Sequence, residues 1–375
     1  MLNNNKIYKI ISISDIHFGC SEPPEFIYNT LKEQFLNKIN MIDFDIVAIC
    51  GDIFDSKFMS NNPTITYALQ FINDLVQICY NKNASLLIIA GTQSHDSGQL
   101  SLFYHYMNSP LLDVRIIENI RFELVKGLNI LCIPELYGIT QDVYENVLYH
   151  SQLYDICLLH GTYKDSYKGS EVATLNSNKA PVFGMNHFIN CKGVILMGHY
   201  HTPGCYDTYA YYNGCPIRYK FGEEETKGFM ITIYNPDTRQ HYTELIPIQS
   251  HIYATINIDH LINEDPRNII QWIKDKKFND SIDFIRVQFN NNTDNMTVVR
   301  NYFKNNSHIK FQEIDKKKKE FERINQEILE TNQQYSFILD PNINEYDKIT
   351  KYINKNEGYD FITSDELIKL LEGDN

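Results

Sequence analysis

The chain has 375 residues, of which 43% are hydrophobic and 22% charged, and a net charge of −13. That length accommodates one large domain and a smaller one. The charge argues against a protein that grips nucleic acid by surface charge alone, though not against one whose metals hold the phosphate or whose partner holds the DNA; no 18-residue apolar run is present, which excludes a helical membrane span.

Residues 1–5 (MLNNN) lack the apolar core of a signal peptide. Eight cysteines are scattered without a Cys-x-x-Cys, and Cys50, Cys132 and Cys157 lie in apolar runs. They read as small buried hydrophobes in a reducing, cytoplasmic compartment, with no zinc knuckle. The richness in Asn, Ile, Lys and Tyr points to an AT-rich genome, and the compartment is the host cytoplasm if that genome is viral.

Residues 8–14 (YKIISIS) predict a buried strand, followed at once by Asp15-Ile16-His17. Apolar positions over 26–42 recur at helical spacing after Pro23-Pro24. A second strand over 45–50 runs into Gly51-Asp52-Ile53-Phe54-Asp55, where the glycine permits a sharp turn. A helix is expected over 64–80 and a third strand over 86–90, ending in Gly91-Thr92-Gln93-Ser94-His95-Asp96. The fourth strand is expected over 130–133, ending at Pro134-Glu135, and the fifth over 155–159, ending in His160-Gly161. The sixth covers 194–197 and ends in Gly198-His199-Tyr200-His201. On a chain that stays extended, residues i and i+2 point the same way, so each such pair would leave its strand side by side. Alternating strands and helices give an α/β layered domain, in which ligands sit outside the carboxyl ends of the strands.

Beyond His201 the pattern changes to antiparallel strands that complete a second sheet, including one over 229–234. The five tyrosines between 206 and 219 read as aromatic packing on a half-buried sheet rather than a base-stacking platform. Strands over 252–258 and 283–289 flank a helix over 266–274, a small β-α-β module expected to be a separate cap. From Lys310 the chain becomes charged; Ile314, Phe321, Ile324 and Ile328 form a helical stripe, and Lys316, Lys317, Lys318 and Lys319 read as a solvated face. A terminal amphipathic helix starts at a Thr363–Glu366 capping box and suits docking on a partner or on its own chain. The expected division is 1–250, 251–310 and 311–375.

Asp15, His17, Asp52, His95, Asp96, His160, His199 and His201 are the strand-end groups. Imidazoles and carboxylates without thiolate suit manganese, iron or zinc. One ion needs roughly four to six ligands, so this set suits two ions roughly 3.5–4 Å apart bridged by a carboxylate and a hydroxide, an arrangement built for attack on phosphorus.

The order Asp15-x-His17, Gly51-Asp52-x-x-Asp55, His95-Asp96, His160-Gly161 and Gly198-His199-x-His201 resembles the calcineurin-like metallophosphoesterase superfamily over about residues 8–202. The resemblance implies a four-layer αββα sandwich. It also implies one metal on Asp15, His17, Asp52 and His201, a second on Asp52, His160 and His199, and His95 either stabilising the transition state or protonating the leaving oxygen, oriented by Asp96. The family's third block is Gly-Asn-His-Asp, whose Asn binds the second metal; here the block is two residues longer without Asn, the substitute is Gln93, Ser94 or a water, and a weaker second metal site is expected. Gly51-Asp52-Ile53-Phe54-Asp55, Tyr212-Asn213-Gly214 with Arg218, Phe221-Gly222-Glu223 and Lys227-Gly228-Phe229 are similar to the nuclease subunit of SbcCD-type meiotic-recombination complexes. That likeness implies a homodimeric, Mn-dependent DNA exo- or endonuclease in DNA repair and recombination, partnered by an SMC-like coiled-coil ATPase. The alternatives are another phosphodiesterase or phosphatase of the superfamily, or a scaffold subunit with a weakened site.

Overall fold

Aliphatic runs separated by amphipathic helices form parallel strands in this protein, seen in a computed structural model. The structure describes residues 6–96, 98–163, 182–279, 282–290, 292–314, 343–344, 347–352 and 363. In chain order the strands are β1 (Tyr8–Ile13), β2 (Ile46–Cys50), β3 (Ser85–Ile89), β4 (Val114–Ile117), β5 (Arg121–Val125), β6 (Leu128–Ile133), β7 (Tyr154–His160), β8 (Thr162–Tyr163), β9 (Val182–Phe183), β10 (Cys191–Gly198), β11 (Gly204–Asp207), β12 (Ala210–Tyr212), β13 (Gly228–Asn235), β14 (Gln240–Pro247), β15 (Tyr253–Asn257), β16 (Phe284–Phe289) and β17 (Ile309–Glu313).

Two mixed six-stranded sheets dominate, ordered β14-β13-β1-β2-β3-β4 and β11-β12-β10-β7-β6-β5. Strands β1 to β4 run parallel in the first, as do β12, β10, β7 and β6 in the second. Side chains alternate across each strand, so each central strand feeds two cores. Val47 and Ile49 of β2, with Leu86 and Ile88 of β3, face the helices Pro24–Leu31 and Pro63–Asn81. Their neighbours Ile46, Ala48, Leu87 and Ile89 share a second cluster with Ile130, Ile156, Leu158, Val194 and Leu196 of the other sheet. Cys157, Leu159, Ile195 and Met197 pack on the far side, with Tyr144 and Leu148 of the helix Gln141–His150. Strands buried on both faces need continuous apolar sequence, which these have.

The helix expected over 26–42 begins with Pro24, a residue suited to a first turn, and contains a π-helical segment, Lys32–Leu36, before ending at Asn40. Helix Pro63–Asn81 is capped by Asn62, whose side chain accepts from Thr64 N. Three strand expectations are corrected. The expected fourth strand is β6, preceded by the unforeseen β4 and by β5, its antiparallel partner. Strand β12 runs parallel to β10. Strand β13 joins the first sheet, antiparallel to β1, rather than completing the second.

Met1–Thr255 with Lys276–Ile285 form one compact unit, and Ile256–Asp275 with Arg286–Asn375 another. A three-stranded sheet is ordered β15-β16-β17, and helix Pro266–Asn279 lies between β15 and β16 in sequence. In the second unit, helix Asp294–Phe303 is capped by Thr293 and buries Met296, Val299 and Phe303. The helical stripe around the four lysines, and the terminal helix expected from Thr363 apart from Thr363 itself, lie outside the described residues. Among the described residues no helix is long and apolar enough to cross a membrane, and none of the eight cysteines is in a disulfide.

The two large sheets approach each other closely where β2 and β10 end. A Cβ at Gly198 would lie 2.1 Å from the Cys50 carbonyl oxygen and 2.8 Å from His160 Nδ1. The Cys50 carbonyl is fixed at the end of β2, and the His160 ring is held to that carbonyl by Nδ1 at 2.7 Å. Gly198→Ala should therefore cost about 2 kcal/mol or more of stability in a urea titration, whereas Met41→Ala, at an exposed position, should stay within about 0.5 kcal/mol.

Candidate metal centre

Six parallel strands, three from each large sheet, end at one edge. Asp15 and His17 follow β1, and Asp52 follows β2. His95 and Asp96 lie in the single helical turn Gln93–Asp96 after β3. Glu135 follows β6, His160 closes β7, and His199 and His201 follow β10.

The backbone does not stay extended there. Asp15, His17, Asp52 and His199 have φ of 52°, 51°, 55° and 108°. Side chains other than glycine rarely adopt positive φ, at a cost of roughly 1–3 kcal/mol each, and such residues cluster at functional sites. The expectation that each i, i+2 pair points one way along an extended strand is corrected: local turns set the directions. Asp15 N donates to Gly51 O at 3.0 Å and His17 N to Asp52 O at 3.1 Å, which fastens the first turn to the second.

Asp52 is the common neighbour and is 2% exposed. Its carboxylate accepts from Thr92 N at 2.6 Å and Thr92 Oγ1 at 3.2 Å. His95 Nδ1 lies 2.8 Å from Oδ2, His160 Nε2 3.4 Å and His17 Nε2 3.8 Å. Burial presses its pKa upward, but His160, His95 and His17 outweigh burial and hold it well below the usual range. Gly91 must lack a side chain here, because a Cβ would sit 2.1 Å from Asp52 Oδ1.

The histidines are oriented from behind. His160 Nδ1 lies 2.7 Å from the Cys50 carbonyl oxygen, so it donates there and leaves Nε2 towards Asp52. Burial opposes its protonation, yet Asp52, Asp15 and Glu135 raise its pKa to about 10. His201 Nδ1 pairs with Glu223 Oε1 at 2.9 Å, and His17 Nδ1 faces Asp55 Oδ1 at 3.3 Å. Both Nε2 atoms then meet at 3.1 Å. Two imidazole lone pairs repel at that distance unless a proton or a cation lies between them, and backing of this kind is typical of metal-bound histidine.

Metal-capable groups whose ligand atoms lie within 4.8 Å of one another are Asp15-His17-His201, His17-Asp52-His95, Asp15-Asp52-His160, His201-Cys215-Glu223 and Glu135-His160-His199. His199 and His201, two residues apart, thus enter different groups. His199 Nδ1 lies 3.2 Å from Glu135 Oε2, while its backbone N donates to the Asp15 carboxylate at 3.0 Å. A cleft of about 350 Å³ lined by Gly91, Gln93, Asp96, Glu135 and Tyr137 opens beside this group.

One expectation is corrected. Asp96 does not orient His95. Its carboxylate accepts from the N–H groups of Asp52, Ile53, Phe54 and Gly91 at 2.9–3.2 Å, which shapes the loop that carries Asp52. Burial and the Asp52 charge push its carboxyl up, to about 7, against those donors; since all four donors need an acceptor, the anion is the form on which this loop is built. Gln93 and Ser94, the expected substitute ligands, are exposed, and Gln93 lines the cleft beside Glu135. Thr92 turns its hydroxyl towards Asp52, Glu135 and His160 instead. Sequence reasoning noted Glu135 at a strand end without placing it in the site, and Glu223 only as part of a motif.

No family model matches the chain, and no curated protein does. One crystal structure aligns over 64% of this chain and 99% of its own, at 10% identity with a TM-score of 0.40, a likeness that carries no argument.

Glu223 offers a test of the backing without metal. Burial would raise its carboxyl, but His201 and Lys227 hold it at about 2, below its ordinary 4.5. A lowered acid contributes stability above its unfolded pKa and loses it as pH falls towards the folded one. In chelator-treated protein, the stability gap between wild type and Glu223→Gln should shrink by up to about 3 kcal/mol as pH falls from about 5 towards 2, measured by urea titration.

Proposed function

We propose that this chain is a two-cation phosphodiesterase of the calcineurin-like metallophosphoesterase type, acting on DNA. The convergence of strand ends from both sheets on the buried Asp52 carboxylate carries the reading. Asp15, His17, Asp52 and His201 would hold one cation, and Asp52, His160 and His199 the other. Such cations, when bound, lower the pKa of a bridging water, hold phosphate oxygens and neutralise the charge that develops on them. Glu223, Asp55 and the Cys50 carbonyl fix the rings of His201, His17 and His160. His95, anchored by Nδ1 on Asp52 and partly exposed, uses its other ring nitrogen to protonate the leaving oxygen. Three stacked cores separated by two sheets support the αββα sandwich.

The finer reading, the nuclease subunit of an SbcCD-type complex, rests on the motifs around Glu223 and Lys227. Lys227 is buried and donates to the His201 carbonyl at 2.8 Å, while Glu223 holds the His201 ring, so both motifs serve the site. The same reading makes Mn²⁺ the cation, an SMC-like coiled-coil ATPase the partner and a homodimer the assembly. A small phosphodiester is the second reading, favoured by the net charge of −13.

Incubation with Mn²⁺ and either linear DNA or bis-p-nitrophenyl phosphate separates the two. Cutting of DNA is expected; turnover of the small diester with every DNA left intact would sink the nuclease reading. His95→Ala should lower cleavage by about 10²–10⁴-fold with bound Mn²⁺ near normal by elemental analysis. Asp52→Ala should lose both ions.

A further inference from the structure

We propose that Glu135 is a ligand of the second cation, joining Asp52, His160 and His199 in the place that the missing asparagine would fill. The inference rests on the two-cation reading. Glu135 stands at the carboxyl end of β6, a parallel strand of the same sheet as β7 and β10. Its Oε2 lies 3.2 Å from His199 Nδ1 and 3.7 Å from His160 Nε2. Thr92 Oγ1, from the block that lacks the asparagine, is 3.5 Å from Oε2.

A second observation points the same way. Glu135 is 3% exposed, and its other oxygen, Oε1, is buried without a donor in hydrogen-bond geometry, the Tyr137 hydroxyl being the side-chain group near the carboxylate. A buried carboxylate oxygen without a donor is costly. The Asp96 carboxylate, equally buried in the same sheet edge, receives four N–H groups. Glu135 is thus oriented and left with coordinating capacity where two imidazoles converge.

The chemistry differs from that of an asparagine. An amide offers one neutral oxygen, whereas a carboxylate adds a full negative charge and a second oxygen. Two imidazoles with two carboxylates suit a hard divalent ion such as Mn²⁺. The second site is then more anionic than an amide would make it, rather than weakened.

The test is Mn²⁺ titration of the metal-free, full-length chain, followed by calorimetry and by electron paramagnetic resonance. Wild type should bind two ions and show the exchange-coupled signal of a manganese pair. Glu135→Gln keeps the shape but removes the charge. It should weaken the second ion at least tenfold, leave the first within about twofold, and give the signal of an isolated Mn²⁺. Thr92→Val should weaken the second ion less than Glu135→Gln does. Equal second-ion affinity in wild type and Glu135→Gln overturns the assignment while leaving the two-cation reading intact. Wild type binding fewer than two ions overturns both. Should Glu135→Gln fail to fold, Glu135→Asp carries the test: its shorter carboxylate should weaken only the second ion, and an unchanged second ion would overturn the proposal.

Discussion

A carboxylate at 2% exposure cannot remain charged unless its surroundings supply positive charge or donors. Asp52 is that carboxylate, and much of the edge where the two sheets meet is arranged around it. Thr92 approaches it with a backbone N–H and a hydroxyl, and three imidazoles from three different strand ends surround Oδ2. Gly91 has no side chain because the carboxylate occupies that space. Asp96, equally buried, accepts the N–H groups of the loop that turns Asp52 inward. One buried charge therefore dictates residues on three strands and the path of two loops.

This arrangement stores cost as well as contact. Asp52 and three of the residues around it have positive φ, and two imidazole nitrogens meet at 3.1 Å. Positive φ is unfavourable in isolation and persists only where the surrounding structure over-determines it, and the two nitrogens need a proton or a cation between them. The supports are visible: antiparallel and parallel sheet on both sides, main-chain bonds from Asp15 and His17 to the second turn, and acids behind the rings. A cation on the histidine nitrogens would stand where a proton otherwise must, and its binding would compete with protonation of the rings. The elements that look least comfortable are thus the ones for which the proposed chemistry has a use.

The sequence shows the parallel strands plainly because strands buried on both faces must be apolar throughout, as in DIVAIC and LLIIA. It shows the ligand candidates because Asp and His are conspicuous at the ends of such runs. Other features follow from tertiary contact. The partner of β13 is β1, more than two hundred residues earlier, and no local pattern specifies that pairing. Asp96 is adjacent to His95 in sequence, which suggests a side-chain pair, yet its oxygens point to backbone donors of another loop. Glu135 is a single acid after Pro134, with no histidine two residues away to draw notice. Only the lateral order of β6 and β7 brings it to His160 and His199. The two histidines at i and i+2 do not leave an extended strand side by side: the chain turns with a φ of 108° at His199, and they enter different groups.

The central claim is that two cations lie either side of Asp52. The most direct measurement is an anomalous-difference map from crystals of the full chain soaked in Mn²⁺. The account predicts two peaks, one among Asp15, His17 and His201 and the other beside His160, His199 and Glu135, both within coordinating distance of the Asp52 carboxylate. A single peak, or peaks that leave Asp52 uncoordinated, would contradict it.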